Sequence, residues 1–373
     1  MKAIVTHRLF WPLVILAALL LATRAKSPIF FDIRVVDGNL FGSLITILRR
    51  TAPTLLVALG MTLVISTRGI DLSVGAVAAI SAAAATTFID SSADPDAVVT
   101  VLVAVGIGLL LAALGGVWNG FLVTVVGIQP IIATLVLMTA GRGVAQLITD
   151  ERIITASSRP YEMIGGGYWL GVPFSIVLAG AILLLTALLT RRTALGVLLE
   201  SVGGNPEASR LAGVPARSIT WTVYVVCAVF AGLAGLMITS DATAADPNST
   251  GLFLEIDAIL AVVIGGTSLA GGRFSLAGTV IGAFIIQTMT TMILILGIAP
   301  EITLVYKAGV VAAVCLIQSP EFRAMALRAV RSERPDVAPP PDRRTEDPSA
   351  MEPPPLPDVA ELVDLATNVN REA

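Results

Sequence analysis

An all-α, polytopic bundle of about ten membrane-crossing helices is the fold class that this chain of 373 residues predicts. Three observations carry that reading. Apolar residues make up 55% of the chain and charged residues 14%, at a mean hydropathy of +0.86, which excludes a water-soluble domain of this size. The apolar stretches are continuous rather than alternating, so they read as helical spans and not as barrel strands. The run Thr51–Ile89 is apolar or small except for Arg68 and Asp71. As one helix it would be roughly twice a ~30 Å hydrocarbon core, so it must be two spans broken at Gly69–Asp71.

In chain order, spans are predicted near residues 9–24, 51–67, 72–89, 98–118, 128–148, 172–190, 219–239, 256–271, 275–296 and 302–319. Lys2, His7 and Arg8 before the first give the N-terminus the look of a signal peptide. Thr23-Arg24-Ala25-Lys26 offers no convincing cleavage site, so the first span is read as uncleaved. Residues 28–50, with Phe30, Phe31, Phe41, Leu44, Ile45 and Leu48 between charges, predict an interfacial segment on the outer face. The loop 191–218 carries Arg191, Arg192, Arg210 and Arg217 and is predicted to be cytoplasmic, which places both termini inside and the acidic loops 90–96 and 241–257 outside. Arg24, Lys26, Arg34, Arg49 and Arg50 run against that trend.

The chain divides into a transmembrane domain, 1–322, and a cytoplasmic tail, 323–373. From about Glu333 the tail sets many prolines among acidic residues, a composition that cannot bury a core. The two halves of the membrane domain resemble one another: the break in Leu59–Ala76 has a counterpart in Ala261–Gly282, where Gly271-Gly272-Arg273-Phe274-Ser275 interrupts an apolar run.

At the first break Gly69 permits backbone angles that a helix cannot use, and Asp71 is placed to cap a helix beginning at Leu72. Arg68, three residues back, is a possible partner for Asp71. A charged turn at the membrane surface and an element of a substrate path both fit. Arg142, between Gly141 and Gly143, reads as a packing position whose arginine snorkels outward. Asn119, Gln129, Thr134, Gln146, Thr267, Ser268 and Gln287 are the uncharged polar residues that would line a path for a hydroxylated solute, although such residues also bridge helices.

The cytoplasmic loop is punctuated with care. A first short helix should end at Gly203-Gly204. Asn205 should cap a second, with Pro206 at its first position, Glu207 in its first turn and a stop at Gly213. A short stiff helix between two spans is suited to passing force from a soluble motor.

Other chemistries find no residues. The chain's lysines are Lys2, Lys26 and Lys307, and none stands in a phosphate loop. His7 is the single histidine, which removes histidine-based metal sites and nucleophile dyads. Cys227 and Cys315 both fall in predicted spans, away from any disulfide framework or metal site. A net charge of −3 gives no footprint for nucleic acid.

Leu40–Val77, with Gly-Ile-Asp-Leu-Ser-Val-Gly at Gly69–Gly75, resembles the permease subunits of bacterial monosaccharide ABC importers, the ribose, xylose and arabinose permease family. Leu40–Pro53, Ala140–Thr149 and Asp257–Gly266 with Gly271–Phe274 are most similar to the galactofuranose branch. The resemblance covers about residues 9–322 and departs from the family at Arg68, where glycine is expected, and in the Pro-rich tail. It implies a multi-pass protein of the bacterial inner membrane that carries galactofuranose or a related monosaccharide, and no enzyme. It also implies a periplasmic sugar-binding protein, a second permease subunit (alike or different) and an ABC ATPase with tandem nucleotide-binding domains. ATP and Mg would be used by that partner, with no cofactor or metal bound here. Gly69, Asp71, Ser73 and Gly75 would be the family motif at the helix break. Ser201–Val214 would be the coupling helix, contacting the ATPase through Glu200, Gly203, Gly204, Asn205, Glu207, Ala208, Leu211 and Gly213. Asn119, Gln129, Thr134 and Gln287 would line the path. The alternatives are a branched-chain amino-acid ABC permease and a stand-alone secondary sugar transporter.

Overall fold

The computed structural model describes residues 9–27 and 29–297, together with positions 302, 305, 308, 309 and 312. The tail, and all but isolated positions of the span expected at 302–319, lie outside the described residues. Helix α1 (Phe10–Lys26) ends with Arg24 and Lys26 in its last turn, where cations favour the negative end of the helix dipole. The next segment differs from expectation. Residues 29–50 are not one continuous segment: strands β1 (Arg34–Val36) and β2 (Asn39–Phe41) form an antiparallel hairpin, and α2 (Ser43–Ser66) follows. Asp37 and Gly38 both take positive φ, the two-residue turn whose twist matches that of the strands. Helix α2 thus begins eight residues before residue 51, with Pro53 inside it.

The Ala-rich α3 (Val74–Asp90) and α4 (Val98–Phe121) come next, the latter extended by a π-helical turn over Leu122–Val126. Pro130 opens α5 (Pro130–Thr149), whose fixed φ suits a first helical position. A connection with β3 (Ile154–Thr155), α6 (Arg159–Gly165), β4 (Tyr168–Trp169) and β5 (Val172–Pro173) leads to α7 (Phe174–Arg192). The loop helices α8 (Leu195–Gly204) and α9 (Pro206–Leu211) precede α10 (Ala216–Ala242). After β6 (Ala244–Ala245), which pairs with β3, come α11 (Leu254–Ile264) and α12 (Leu276–Ile295).

Among the described residues, six helices are long and apolar enough to cross a membrane: α2, α4 with its π turn, α5, α7, α10 and α12. The span expected at 256–271 is instead the 11-residue α11, about 16 Å long and half a bilayer deep. It stops at Ile264 because Gly265 and the left-handed Gly266 follow.

Burial divides the helices into two layers. The apolar windows of α2, α10 and α12 are 61%, 61% and 56% buried, against 22% for α4, α5 and α7. Helices α2 and α10 are therefore the axis, and the 22% helices present most of their apolar surface outward. Between apolar helices, close approach does the work that water exclusion does elsewhere, so small residues mark the contacts. A β-carbon at Gly235 would lie 2.1 Å from the Ala78 carbonyl oxygen, so α3 and α10 meet backbone to backbone there. The Thr62 and Thr279 hydroxyls, 2.7 Å apart, join α2 to α12.

Gly235→Val should accordingly lower the thermal-unfolding midpoint of the detergent-purified protein, at a cost of at least about 1–3 kcal/mol for overpacking. Gly180→Ala in α7, where an added β-carbon meets nothing within 4 Å, should leave it unchanged or raised. Equal midpoints for the two variants would mean that α3 and α10 do not pack this way.

Candidate functional site

Helix α2 stops at Ser66. Arg68 then takes φ +66°, a left-handed conformation unusual for any residue but glycine, and turns the chain into the Gly69–Ser73 break. A β-carbon at Gly69 would sit 2.5 Å from the buried Tyr224 hydroxyl, so glycine allows α10 to close over the turn. Asp71 is fully buried. Its Oδ1 accepts hydrogen bonds from the Ser73 N–H at 3.0 Å, the Ser73 hydroxyl at 2.6 Å and Asn119 Nδ2 at 3.3 Å. Asn119 Nδ2 also donates to Ser73 Oγ at 2.8 Å. Asp71 is not the helix cap that the sequence suggested: α3 starts at Val74 with Ser73 as its N-cap residue, and Asp71 instead takes the Ser73 N–H in a turn just before the helix. Thr134 of α5 accepts from the Leu72 N–H at 3.2 Å.

Arg68 does not pair with Asp71. Its Nε donates to the Gly203 carbonyl at 2.5 Å and its Nη2 to the Gly204 carbonyl. These are the last carbonyls of α8, which have no donor within their own helix and face the negative end of its dipole. The second break completes the junction. After α11 the chain passes through Gly271 and Gly272, at φ +84° and +86°, before Ser275 caps α12 by accepting from the Gly278 N–H. The Gly272 N–H donates to the Ser66 carbonyl at 2.9 Å. Gly203 lies against this bond: a β-carbon there would come 1.7 Å from the Ser66 oxygen and 2.5 Å from the Gly272 nitrogen. Three stretches separate in sequence thus meet at Ser66–Arg68.

The remaining loop residues have the local geometry read from sequence. Asn205 Oδ1 accepts from the Ala208 N–H at 3.0 Å, Pro206 opens α9, and Gly213 at φ +84° closes it. Leu199 and Val202 anchor α8 in the core, with Glu200 half-buried between them. Glu207, Ala208 and Leu211 are exposed, Leu211 by 81%. The Glu207–Arg210 ion pair of 3.0 Å is open to solvent and adds little.

The residues singled out as path-lining separate. Asn119 and Thr134 are buried and bind the first break, Gln129 is exposed at the start of α5, and Gln287 lies beside a cavity at the other end of α12. Gly75 is packed under Glu255: a β-carbon there would lie 2.4 Å from Glu255 Oε2. Arg142 does not snorkel; it donates to the Pro247 and Thr250 carbonyls at 3.1 and 2.6 Å. Glu255 and Tyr224 are the functional candidates that sequence reasoning underweighted, because each meets its partner more than a hundred residues away. Among the described residues, no group of three or more His, Cys, Asp and Glu could hold a metal ion.

Apolar spans, a half-length helix and an inter-span loop keyed into two helix breaks define a multi-pass membrane protein. Relatives agree. The galactofuranose transporter permease protein YtfT of Escherichia coli (strain K12) is 48% identical over 331 residues, 87% of this chain and 95% of that protein. The fructose import permease protein FruF of Bifidobacterium longum (strain NCC 2705) is 42% identical, over 79% of this chain and 82% of that protein. The ribose import permease protein RbsC of Escherichia coli (strain K12) is 36% identical, over 82% and 92%. Residues 43–317 match the family described as branched-chain amino acid transport system / permease component, and the chain belongs to it. No solved structure matches.

The left-handed Arg68 yields a two-variant test. Arg68→Gly removes the guanidinium and relieves the backbone, whereas Arg68→Ala removes the guanidinium and keeps the strain. The alanine variant should be less stable than the glycine variant by about 1–2 kcal/mol in thermal unfolding. Equal stability would mean that residue 68 is not left-handed.

Proposed function

We propose that this chain is the transmembrane permease subunit of an ATP-driven, binding-protein-dependent importer of a monosaccharide in the bacterial inner membrane. The observation that carries it is the junction at Arg68, where the end of α8 is held to both helix breaks. A push on α9 has a direct mechanical route to the motif at Gly69, Asp71, Ser73 and Gly75. The sequence has no phosphate loop, so on this reading the energy comes from a separate ATPase, with tandem nucleotide-binding domains that use ATP and Mg. Glu200, Gly203, Gly204, Asn205, Glu207, Ala208, Leu211 and Gly213 form or shape its docking face. A periplasmic sugar-binding protein delivers the solute and a second permease subunit completes the path. On this reading residues 1–322 are the permease domain, in two related halves, and 323–373 are a cytoplasmic tail.

The family description names branched-chain amino acids, yet the relatives quoted above are named for galactofuranose, fructose and ribose. A hydroxylated monosaccharide is therefore the better reading, with galactofuranose the first sugar to try. Proteoliposomes holding the two permeases and the ATPase should take up sugar only with ATP inside and the loaded binding protein outside. Uptake by this chain alone under a proton gradient would instead make it a secondary transporter.

Coupling makes a second prediction. Gly204→Pro and Glu207→Lys should stop uptake while the chain still inserts and elutes as a folded protein. Arg68→Gly should let ATP hydrolysis continue with less sugar carried per ATP. Normal sugar-to-ATP ratios in all three would place the coupling contact elsewhere.

A further inference from the structure

At the end of the bundle where α2 begins and α10 finishes, a cavity of about 320 Å³ opens between α2, α7, α10 and α12. Its lining is unusually polar for an apolar bundle. Arg49 and Asp241 form an ion pair on its wall, Nη2 to Oδ1, at 3.3 Å. Ser175, only 1% exposed, contributes a hydroxyl with no hydrogen-bond partner, and the buried Arg49 Nε has none either. Pro53, having no N–H, leaves the Arg49 carbonyl without its usual helical donor. Thr54, Gln287 and the exposed Arg50 add further polar groups to the wall, with Met237 and Ile238 among its apolar residues. Unpaired buried donors and acceptors are costly, so a group of them around one space calls for a ligand that supplies the missing bonds.

We propose that this cavity binds a neutral monosaccharide. Arg49 and Asp241 are ion-paired and cancel in charge, and Arg50, the third charged side chain of the lining, is exposed, so the cavity buries no unpaired charge that would select an ion. A sugar hydroxyl both donates and accepts, and can therefore serve the arginine, the carboxylate, the serine and the amide at once. The volume lies at the small end of the ~300–1,000 Å³ typical of ligand pockets, which fits one sugar ring. The cavity lies at the opposite end of α2 from the Arg68 junction. On the import reading, on which the direction of travel rests, it is a holding site for sugar before the junction moves.

The test uses the full chain in lipid nanodiscs and radiolabelled D-ribose, D-fructose and D-galactose. At least one sugar should bind saturably. Ser175→Ala and Gln287→Leu should each weaken it by about tenfold, the loss of one buried hydrogen bond, while Thr290→Val, on the same helix but outside the cavity, should not. Should Gln287→Leu fail to elute as a folded protein, Thr54→Val takes its place. Sugar binding unchanged in these variants overturns the proposal, as does binding of none of the three sugars by a chain whose complete importer carries one of them. Loss of a co-purified phospholipid from the variants, with sugar binding intact, assigns the cavity to a lipid headgroup and also overturns it. If the complete importer carries no sugar at all, the import reading fails instead, and that outcome is separately visible in the uptake assay.

Discussion

A helix broken inside a bilayer releases backbone N–H and C=O groups that water cannot reach, and each must be taken up by another part of the protein. This constraint shapes the centre of the molecule. The Ser66 carbonyl, freed where α2 ends, is taken by the Gly272 N–H of the other break. The terminal carbonyls of α8 are taken by Arg68. The Leu72 and Ser73 N–H groups are taken by Thr134 and Asp71. Each break satisfies the other, so neither can be rearranged alone. Two discontinuities tied in this way form a natural switch element, since a shift of one forces new partners on the other.

Local physics was legible in the sequence where it is local in the chain. The boundaries of α8 and α9 follow from Asn205, Pro206 and Gly213, whose effects reach only three or four residues. The break at Gly69–Asp71 and its counterpart at Gly271-Gly272 were equally readable, because glycine and charge in an apolar run admit few explanations. Hydropathy was a poorer guide to helix ends. It could not distinguish α11, which stops at Ile264, from a full span, since two near-neutral glycines barely lower the mean hydropathy of the run. It also hid the hairpin at Asp37-Gly38, where a clear turn signal sat between residues read for amphipathicity.

The side-chain partnerships were out of reach for a different reason. Arg68 stands three residues from Asp71 and would pair with it on sequence distance, but its left-handed backbone directs the guanidinium toward Gly203 instead. Arg142 and Glu255 take their places from the loop 246–250 and from Gly75. Such contacts depend on how helices cross, which no single-sequence pattern encodes. Charges expected to seek the membrane surface are instead spent on backbone carbonyls, the acceptors most available beside an interrupted helix.

The two-layer burial has a consequence for handling the protein. With α4, α5 and α7 only 22% buried over their apolar windows, much of the packing around the α2–α10 axis has to come from outside the chain, from lipid tails or a second subunit. Exchange of the bilayer for a short-chain detergent therefore removes the outer ring's neighbours while leaving the axis intact. Peripheral helices are then expected to loosen before the central pair separates, and the main unfolding midpoint reports that separation.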